Sequence, residues 1–344
     1  MSLLKEIKDG SSVFVIAELS ANHNGSLEVS LDTVRAAKEA GADAIKLQTY
    51  TADTMTLNVK NDHFLIKQGT SWDGQYLYDL YLDAYTPWEW HQELFSLAEE
   101  LGLYCFSSPF DATAVDFLEQ FNPPIYKIAS FEITDIPLLK YVASKGRPII
   151  ISTGIADEED IELALKTCRD AGNDDIALLK CTSAYPASPA DANLNSIPYL
   201  ANKYGVVSGL SDHTLGIEAP VLSVGLGGKI IEKHFILDKS IGGPDAHFSL
   251  DKAEFTEMVK GVRLAEQMLG GIDFSLTPKK KKSREFSRSL FVARAIQKGE
   301  VFTKENLRVV RPGFGLHPKY YEEALGKVAK NDLEAGTPLR IEDF

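Results

Sequence analysis

With 344 residues, 44% of them hydrophobic and 25% charged, the chain has the balance of a soluble globular protein and the length for one large domain plus a small one. A net charge of −13 argues against nucleic acid or an anionic membrane surface as a partner. The opening MSLLKEIKDGSS lacks an apolar core of signal-peptide length, no later stretch is suited to span a bilayer, and Cys105, Cys168 and Cys181 lack CxxC spacing. A reduced, cytoplasmic protein without structural zinc is expected.

Short apolar runs alternate with helical patterns along the chain, the signature of a parallel sheet. Eight strands are predicted, over residues 13–20, 44–50, 104–110, 125–130, 148–154, 176–183, 206–214 and 229–235. The segments between them carry helical periodicity, as in Ile161, Ala164, Leu165 and Cys168, and after the last strand in Phe255, Met258, Val259 and Val262. Ser26, Asp111 and the acidic DEED at 157–160 mark helix starts, and Gly41 and Gly102 stand where helices stop. Eight such units in about 270 residues predict a (β/α)8 TIM barrel over residues 1–271. A doubly wound open sheet is the alternative, weakened because ELSANHNG rather than GxGxxG follows the first strand.

The loop after the second strand, 51–85, is long and aromatic, with Trp72, Tyr76, Tyr78 and Tyr81, and Trp88 and Trp90 close behind. That composition argues against disorder and suits a lid, a sugar-stacking wall or packing on the barrel rim. Beyond the barrel, 272–286 reads as a polar linker carrying the basic run PKKKKSR. Residues 287–344 contain AIQKGEVFTKENL and DLEAGTPLRIEDF, two similar stretches that turn at a glycine and then alternate. They predict a small, mostly β module with an internal repeat. A linker of about fifteen residues extends roughly 50 Å, so the module could dock on a neighbouring subunit as readily as on its own barrel.

Strands of a closed α/β barrel are buried on both faces, so polar residues within them need a reason. Here they gather at the C-terminal strand ends, where such barrels place active sites: Glu18 and Ser20, Lys46 and Gln48, Ser107 and Ser108, Lys127, Ser130 and Glu132, Ser152, then Ser183 and Tyr185, Ser211 and His213, Glu232 and His234. GLSDHT and IIEKHF, the ends of consecutive parallel strands, bring His213 and His234 to one side of the sheet. Two neutral imidazoles with positions left open suit a catalytic ion better than a structural one, although each alone reads as a hydrogen-bonded strand end. Lys46 and Lys127 would be costly to bury unpaired. An ion pair with Glu18 or Glu132 would satisfy either; together with the serines and loop–helix N-termini, the two suit a substrate bearing a phosphate and a carboxylate. A Schiff-base lysine fits the polar surroundings less well. Of the other histidines, His247 and its neighbour Asp245 follow the last strand and could line the mouth, whereas His23, His63, His91 and His317 carry no assigned role.

These residues fall in motifs that resemble the sialic acid synthase family, in its pseudaminic acid synthase branch: IAELSANHNG, AIKLQTYTADTMTL, FSSPF, YKIASFE, STGIA, LKCTSAYP, GLSDHT, EKHF, GPDAHFS, RSLF and RPGFGLHP, in order along nearly the whole chain. The branch rests on SWDGQYLYDLYLDAYTPWEWH and on Ser183 in SAYP. The resemblance implies condensation of phosphoenolpyruvate with an open-chain N-acylated amino sugar to a nine-carbon 2-keto acid, with release of phosphate. It implies 2,4-diacetamido-2,4,6-trideoxy-L-altrose as acceptor; the N-acetylneuraminate and legionaminate synthases use the same chemistry, and a non-catalytic sugar-binding scaffold is a remote alternative. By the same resemblance, His213 and His234 hold a divalent cation, manganese or else magnesium or cobalt. Lys46, Ser108, Lys127, Ser130, Ser152, Ser183 and Ser211 cradle phosphoenolpyruvate. Glu132 handles the attacking water, Glu18 a substrate hydroxyl, and Gln48, Tyr185 and Asp245 the sugar. The tail resembles an antifreeze-like (SAF) module, from which Arg311 would reach the partner subunit's barrel in a domain-swapped homodimer.

Overall fold

A computed structural model describes residues 1–67, 69 and 72–344; Gln68, Thr70 and Ser71 of the aromatic loop lie outside the described residues. The chain divides into two compact units, Met1–Gly270 and Gly271–Phe344. In the first, eight parallel strands follow one another: β1 Phe14–Glu18, β2 Ala44–Thr49, β3 Tyr104–Pro109, β4 Tyr126–Ile128, β5 Ile149–Ser152, β6 Ile176–Cys181, β7 Val207–Asp212 and β8 Ile230–His234. Hydrogen-bonded neighbours run β3-β2-β1-β8-β7-β6-β5-β4, and the terminal pair β3 and β4 pack together, so the sheet closes as the TIM barrel expected.

Alternation along the strands sorts two cores. Phe14, Ile16, Ala44, Phe106, Ile150, Leu179 and Ile230 fill the barrel interior, and Leu3, Leu4 and Ile7 of the helix Leu3–Asp9 pack against them. The opposite faces (Val15, Ile45, Leu47, Ile149, Leu178, Ile231) meet the surrounding helices through Val34, Leu94, Leu139, Leu165 and Val262. The predicted caps are made. Ser26 accepts from the Val29 amide, Asp111 from Thr113 and Ala114, and Asp157 forms a capping box with Asp160.

Three expectations need correction. Predicted strand ends overrun, and β7 stops at Asp212, one residue before His213; there the Asp212 carboxylate takes the Thr214 amide and hydroxyl, which turns the chain out of the sheet. The 51–85 loop contains two helices, Ala52–Met55 and Leu77–Ala84. The 272–286 stretch contains the helix Pro278–Arg284, started by a Thr277 cap and a proline in its first turn.

In the second unit, β9 (Ser289–Val292) pairs antiparallel with β10 (Leu307–Val310). The two similar stretches pair with each other: the Ile296 and Leu333 amides each donate to the other's carbonyl at 2.9 Å. Ile296, Phe302, Leu307, Leu333 and Leu339 share one core. Among the described residues no helix is long and apolar enough to cross a membrane.

Candidate active site at the barrel mouth

The barrel register decides which polar residues meet. Glu18 lies opposite Lys46 across β1–β2 and opposite His234 across β1–β8, Gln48 opposite Ser108, and Ser211 opposite Glu232. Consequently Glu18, Lys46, Gln48, Lys127, Ser130, Glu132, Ser152, Ser183, Tyr185, Ser211, His213, His234 and Asp245 all line one cavity of about 450 Å³. Ser108 is buried beside it, its hydroxyl without a partner. Arg311 is an exposed residue of the second unit, just after β10.

Lys46 and Lys127 are 2% and 1% exposed, and how they are paired sets the electrostatics of the floor. Lys46 Nζ lies 2.8 Å from Glu18 Oε1 and 3.2 Å from Glu232 Oε1. Lys127 Nζ shares that same Glu232 oxygen at 3.6 Å and donates to Ser152 Oγ at 2.7 Å. Thus the expected Glu18 pair forms, but Lys127 turns to Glu232 and not to Glu132. Burial alone would lower the Lys46 ammonium, yet Glu18 and Glu232 outweigh it and hold its pKa above the ordinary value. For Lys127 burial prevails over its half-share of Glu232, and its pKa falls. Glu18 is the converse: burial would raise it, but Lys46 and His234 keep it well below the usual carboxylate range. Lys127 is therefore an incompletely neutralised cation facing a cavity, the setting in which an anion binds.

Around it stand hydroxyls poised for a ligand. Ser183 Oγ, like Ser108 Oγ, is buried without a hydrogen-bond partner, as are Glu132 Oε2 and Glu232 Oε2. Gly154 makes room for this group: its amide donates to Ser130 Oγ at 3.0 Å, and a Cβ there would sit 2.2 Å from Ser183 Oγ. Burial raises the Glu132 carboxyl to about 7, Lys127 offsetting only part of the effect.

The imidazoles of His213 and His234 lie 5.3 Å apart, centre to centre. His213 Nδ1–H donates to the Thr182 carbonyl at 2.9 Å, which in the neutral imidazole leaves Nε2 as the nitrogen open to a ligand. His234 sits 3.3 Å from Glu18 Oε2, and its Nδ1 is buried without a hydrogen-bond partner. Ser20 donates to Asp245 at 2.6 Å, fixing that carboxylate 3.8 Å from His234. Among the described residues no third protein group completes a metal cage; two imidazoles with an unspent nitrogen fit an ion that keeps open positions. Tyr185 packs 4.4 Å from the His213 ring and Phe248 4.8 Å from His234.

Sequence reasoning gave no role to three residues of this mouth. Glu232, in the sequence no more than a polar strand residue, joins the two lysines. Cys181 lies 3.8 Å from His213 Nδ1; burial pushes its thiol up, but the facing histidine outweighs this and brings it to about 7. Its signal was the period of two that links Leu179, Cys181 and Ser183. His63, in the segment after β2, lines the cavity. By contrast His247 is exposed, bonding the Tyr185 carbonyl at 3.4 Å and packing edge-on against Phe248, and His91 is a buried structural residue held by Thr49.

A closed parallel barrel with its polar groups gathered at one mouth, joined to a separate small β module, is the TIM-barrel class that the fold and site define. Within it, residues 33–273 match the NeuB family and residues 287–344 the SAF domain. The chain is 51% identical to a pseudaminic acid synthase of Campylobacter jejuni, over 96% of each protein, and 50% identical to one of Helicobacter pylori, over 96% of this chain and 97% of that one. A solved N-acetylneuraminic acid synthetase of Leptospira borgpetersenii superposes with a TM-score of 0.71 at 30% identity, covering 80% of this chain and 91% of the other. The chain belongs to the NeuB family, and the resemblance carried by its motifs is borne out.

Proposed function

We propose that this protein is a pseudaminic acid synthase, which condenses phosphoenolpyruvate with open-chain 2,4-diacetamido-2,4,6-trideoxy-L-altrose and water to give pseudaminic acid and inorganic phosphate. The observation that carries the chemistry is the convergence of Lys46, Lys127 and serine hydroxyls with the paired imidazoles in one cavity. The choice of acceptor is supported by the half-identity to relatives named for that product.

In this reading Lys46 and Lys127, with Ser108, Ser130, Ser152, Ser183 and Ser211, hold the carboxylate and phosphate of phosphoenolpyruvate. Its C3 attacks the aldehyde carbon of the acceptor, and the alkoxide so formed takes a proton from solvent to become a hydroxyl beside Glu18. Glu132, ionised, positions and deprotonates the water that adds at C2, and cleavage of the C2–O bond expels phosphate. Gln48, Tyr185 and Asp245 orient the sugar. His213 and His234 would hold a divalent cation (manganese, magnesium or cobalt), which when bound supplies Lewis-acid polarisation of the aldehyde oxygen. In a domain-swapped homodimer, Arg311 would meet the acyl group of the sugar in the partner subunit's barrel. Use of phosphoenolpyruvate supports a cytoplasmic location for the reaction.

Purified protein given both substrates and a divalent cation is expected to release inorganic phosphate, fastest with the trideoxy-altrose acceptor in a panel that includes N-acetylmannosamine and the legionaminic precursor. Release with none of these sugars would end the reading. A His213→Ala variant is expected to abolish release; continued sugar binding without turnover in the wild type would instead favour a non-catalytic scaffold.

A further inference from the structure

The polar floor serves phosphoenolpyruvate and the aldehyde end of the acceptor, but it leaves one side of the cavity unexplained. That side comes from the segment after β2. Leu65 and Tyr76 pair as an antiparallel bridge, the Ile66 amide donates to the Gln75 carbonyl and the Leu77 amide to the Phe64 carbonyl, each at 2.9 Å. This ribbon leads into the helix Leu77–Ala84, whose Leu77, Leu80, Tyr81 and Ala84 recur at i, i+3, i+4 and i+7 and all line the cavity, with Leu65 and Ile66 beside them. Leu65, Leu77 and Leu80 are only half-buried, so apolar surface is left facing the space a ligand would fill. Trp72 ties the ribbon to the imidazole end: its indole N–H donates to the Pro244 carbonyl at 3.3 Å, and its ring lies 5.8 Å from that of Tyr185, which packs on His213. Among the described residues the polar groups on this side are few, namely the His63 imidazole and the hydroxyls of Tyr50 and Tyr81.

We propose that this leucine wall is the acceptor-selecting element: it takes the methyl terminus of a 6-deoxy sugar and discriminates against acceptors that end in a hydroxymethyl group. The inference rests on the synthase reading and adds to it the residues that choose the sugar. A methyl against Leu65, Leu77 and Leu80 gains from leaving water. A hydroxyl in the same place gives up its water and finds no leucine to bond. An apolar pocket separates such a pair by roughly 10- to 100-fold, not by many orders of magnitude.

The test compares kcat/KM for two acceptors that differ only at C6, the 6-deoxy and 6-hydroxy forms of the 2,4-diacetamido sugar, on wild type, Leu77→Asn, Leu80→Asn and Leu80→Met. Because both sugars compete for the same preparation, their ratio is insensitive to how much of a variant is folded. Wild type is expected to favour the deoxy sugar about 10- to 100-fold, Leu80→Asn to cut that ratio about tenfold, and Leu80→Met to keep it. Equal use of both sugars by wild type, or an unchanged ratio in both Leu80→Asn and Leu77→Asn, overturns the inference and leaves the synthase reading standing. Phosphate release with neither sugar defeats the reading, and the inference with it.

Discussion

Glu132 lies in the 3-10 turn Ser130–Glu132, where burial lifts its carboxyl from 4.5 to about 7. If it deprotonates the attacking water as proposed, it must be ionised; kcat/KM is then expected to fall as pH drops below about 7, and Glu132→Gln to abolish activity. The same shift acts on stability with the opposite sense. A raised folded pKa favours the folded chain fully below the unfolded value, and this advantage is lost as pH rises through 7. Glu132→Gln should therefore unfold at higher denaturant at pH 8 than wild type, by up to about 3 kcal/mol (the shift of roughly 2.5 pH units at 1.36 kcal/mol each), and show no gain at pH 4. Lys127 yields a second expectation: Lys127→Met removes the under-neutralised cation and should raise the KM for phosphoenolpyruvate at least tenfold, about 1.5–3 kcal/mol for a charged hydrogen bond. Both lysines were legible as strand residues too costly to bury without purpose. Their shared carboxylate was not, because Glu232 is remote in sequence from Lys46 and Lys127 and meets them only when the barrel closes.

The pair β7–β8 presents both histidines, and a buried clasp on its outer face holds it in register. Asp212 and Lys233 are cross-strand partners, one residue before His213 and His234 respectively. Lys233 Nζ pairs with the Asp212 carboxylate and also bonds the Thr214 carbonyl, so it grips the chain on both sides of His213. Both side chains are almost fully buried. Lys233→Met would strand the Asp212 charge and is expected to cost 3–5 kcal/mol in urea unfolding, on the order seen when one partner of a buried pair is removed; adding Asp212→Asn should restore part of it. Close approach matters on the same strand: a Cβ on Gly209 would lie 2.2 Å from the Ile230 carbonyl oxygen. At this scale the sequence was most readable. All eight strands were visible from apolar runs, and helix starts from Ser26, Asp111 and Asp157. Strand ends were not, because a side chain such as Asp212 ends a ladder through bonds that no periodicity records.

For the whole molecule, the two units have separate cores. Ile272 and Phe274, next to the boundary, are 97% and 92% exposed in the single chain, apolar surface of the kind a second subunit covers. Sedimentation is expected to show a dimer. If Arg311 meets the sugar there, Arg311→Ala should raise the acceptor KM and leave that of phosphoenolpyruvate alone, whereas a surface arginine would change neither.

The sequence by itself determined the barrel, the β module and the family, because strand period, turn residues and motif order are properties of neighbouring residues. It also named most residues of the mouth, since polar side chains inside buried strands are rare enough to be informative. Only the tertiary structure decided that Glu232 rather than Glu132 joins the lysines, that Cys181 faces His213, and that a leucine-lined helix closes the side of the cavity. Those pairings depend on strand register and on the path of a long loop, which set distances between residues far apart in the chain.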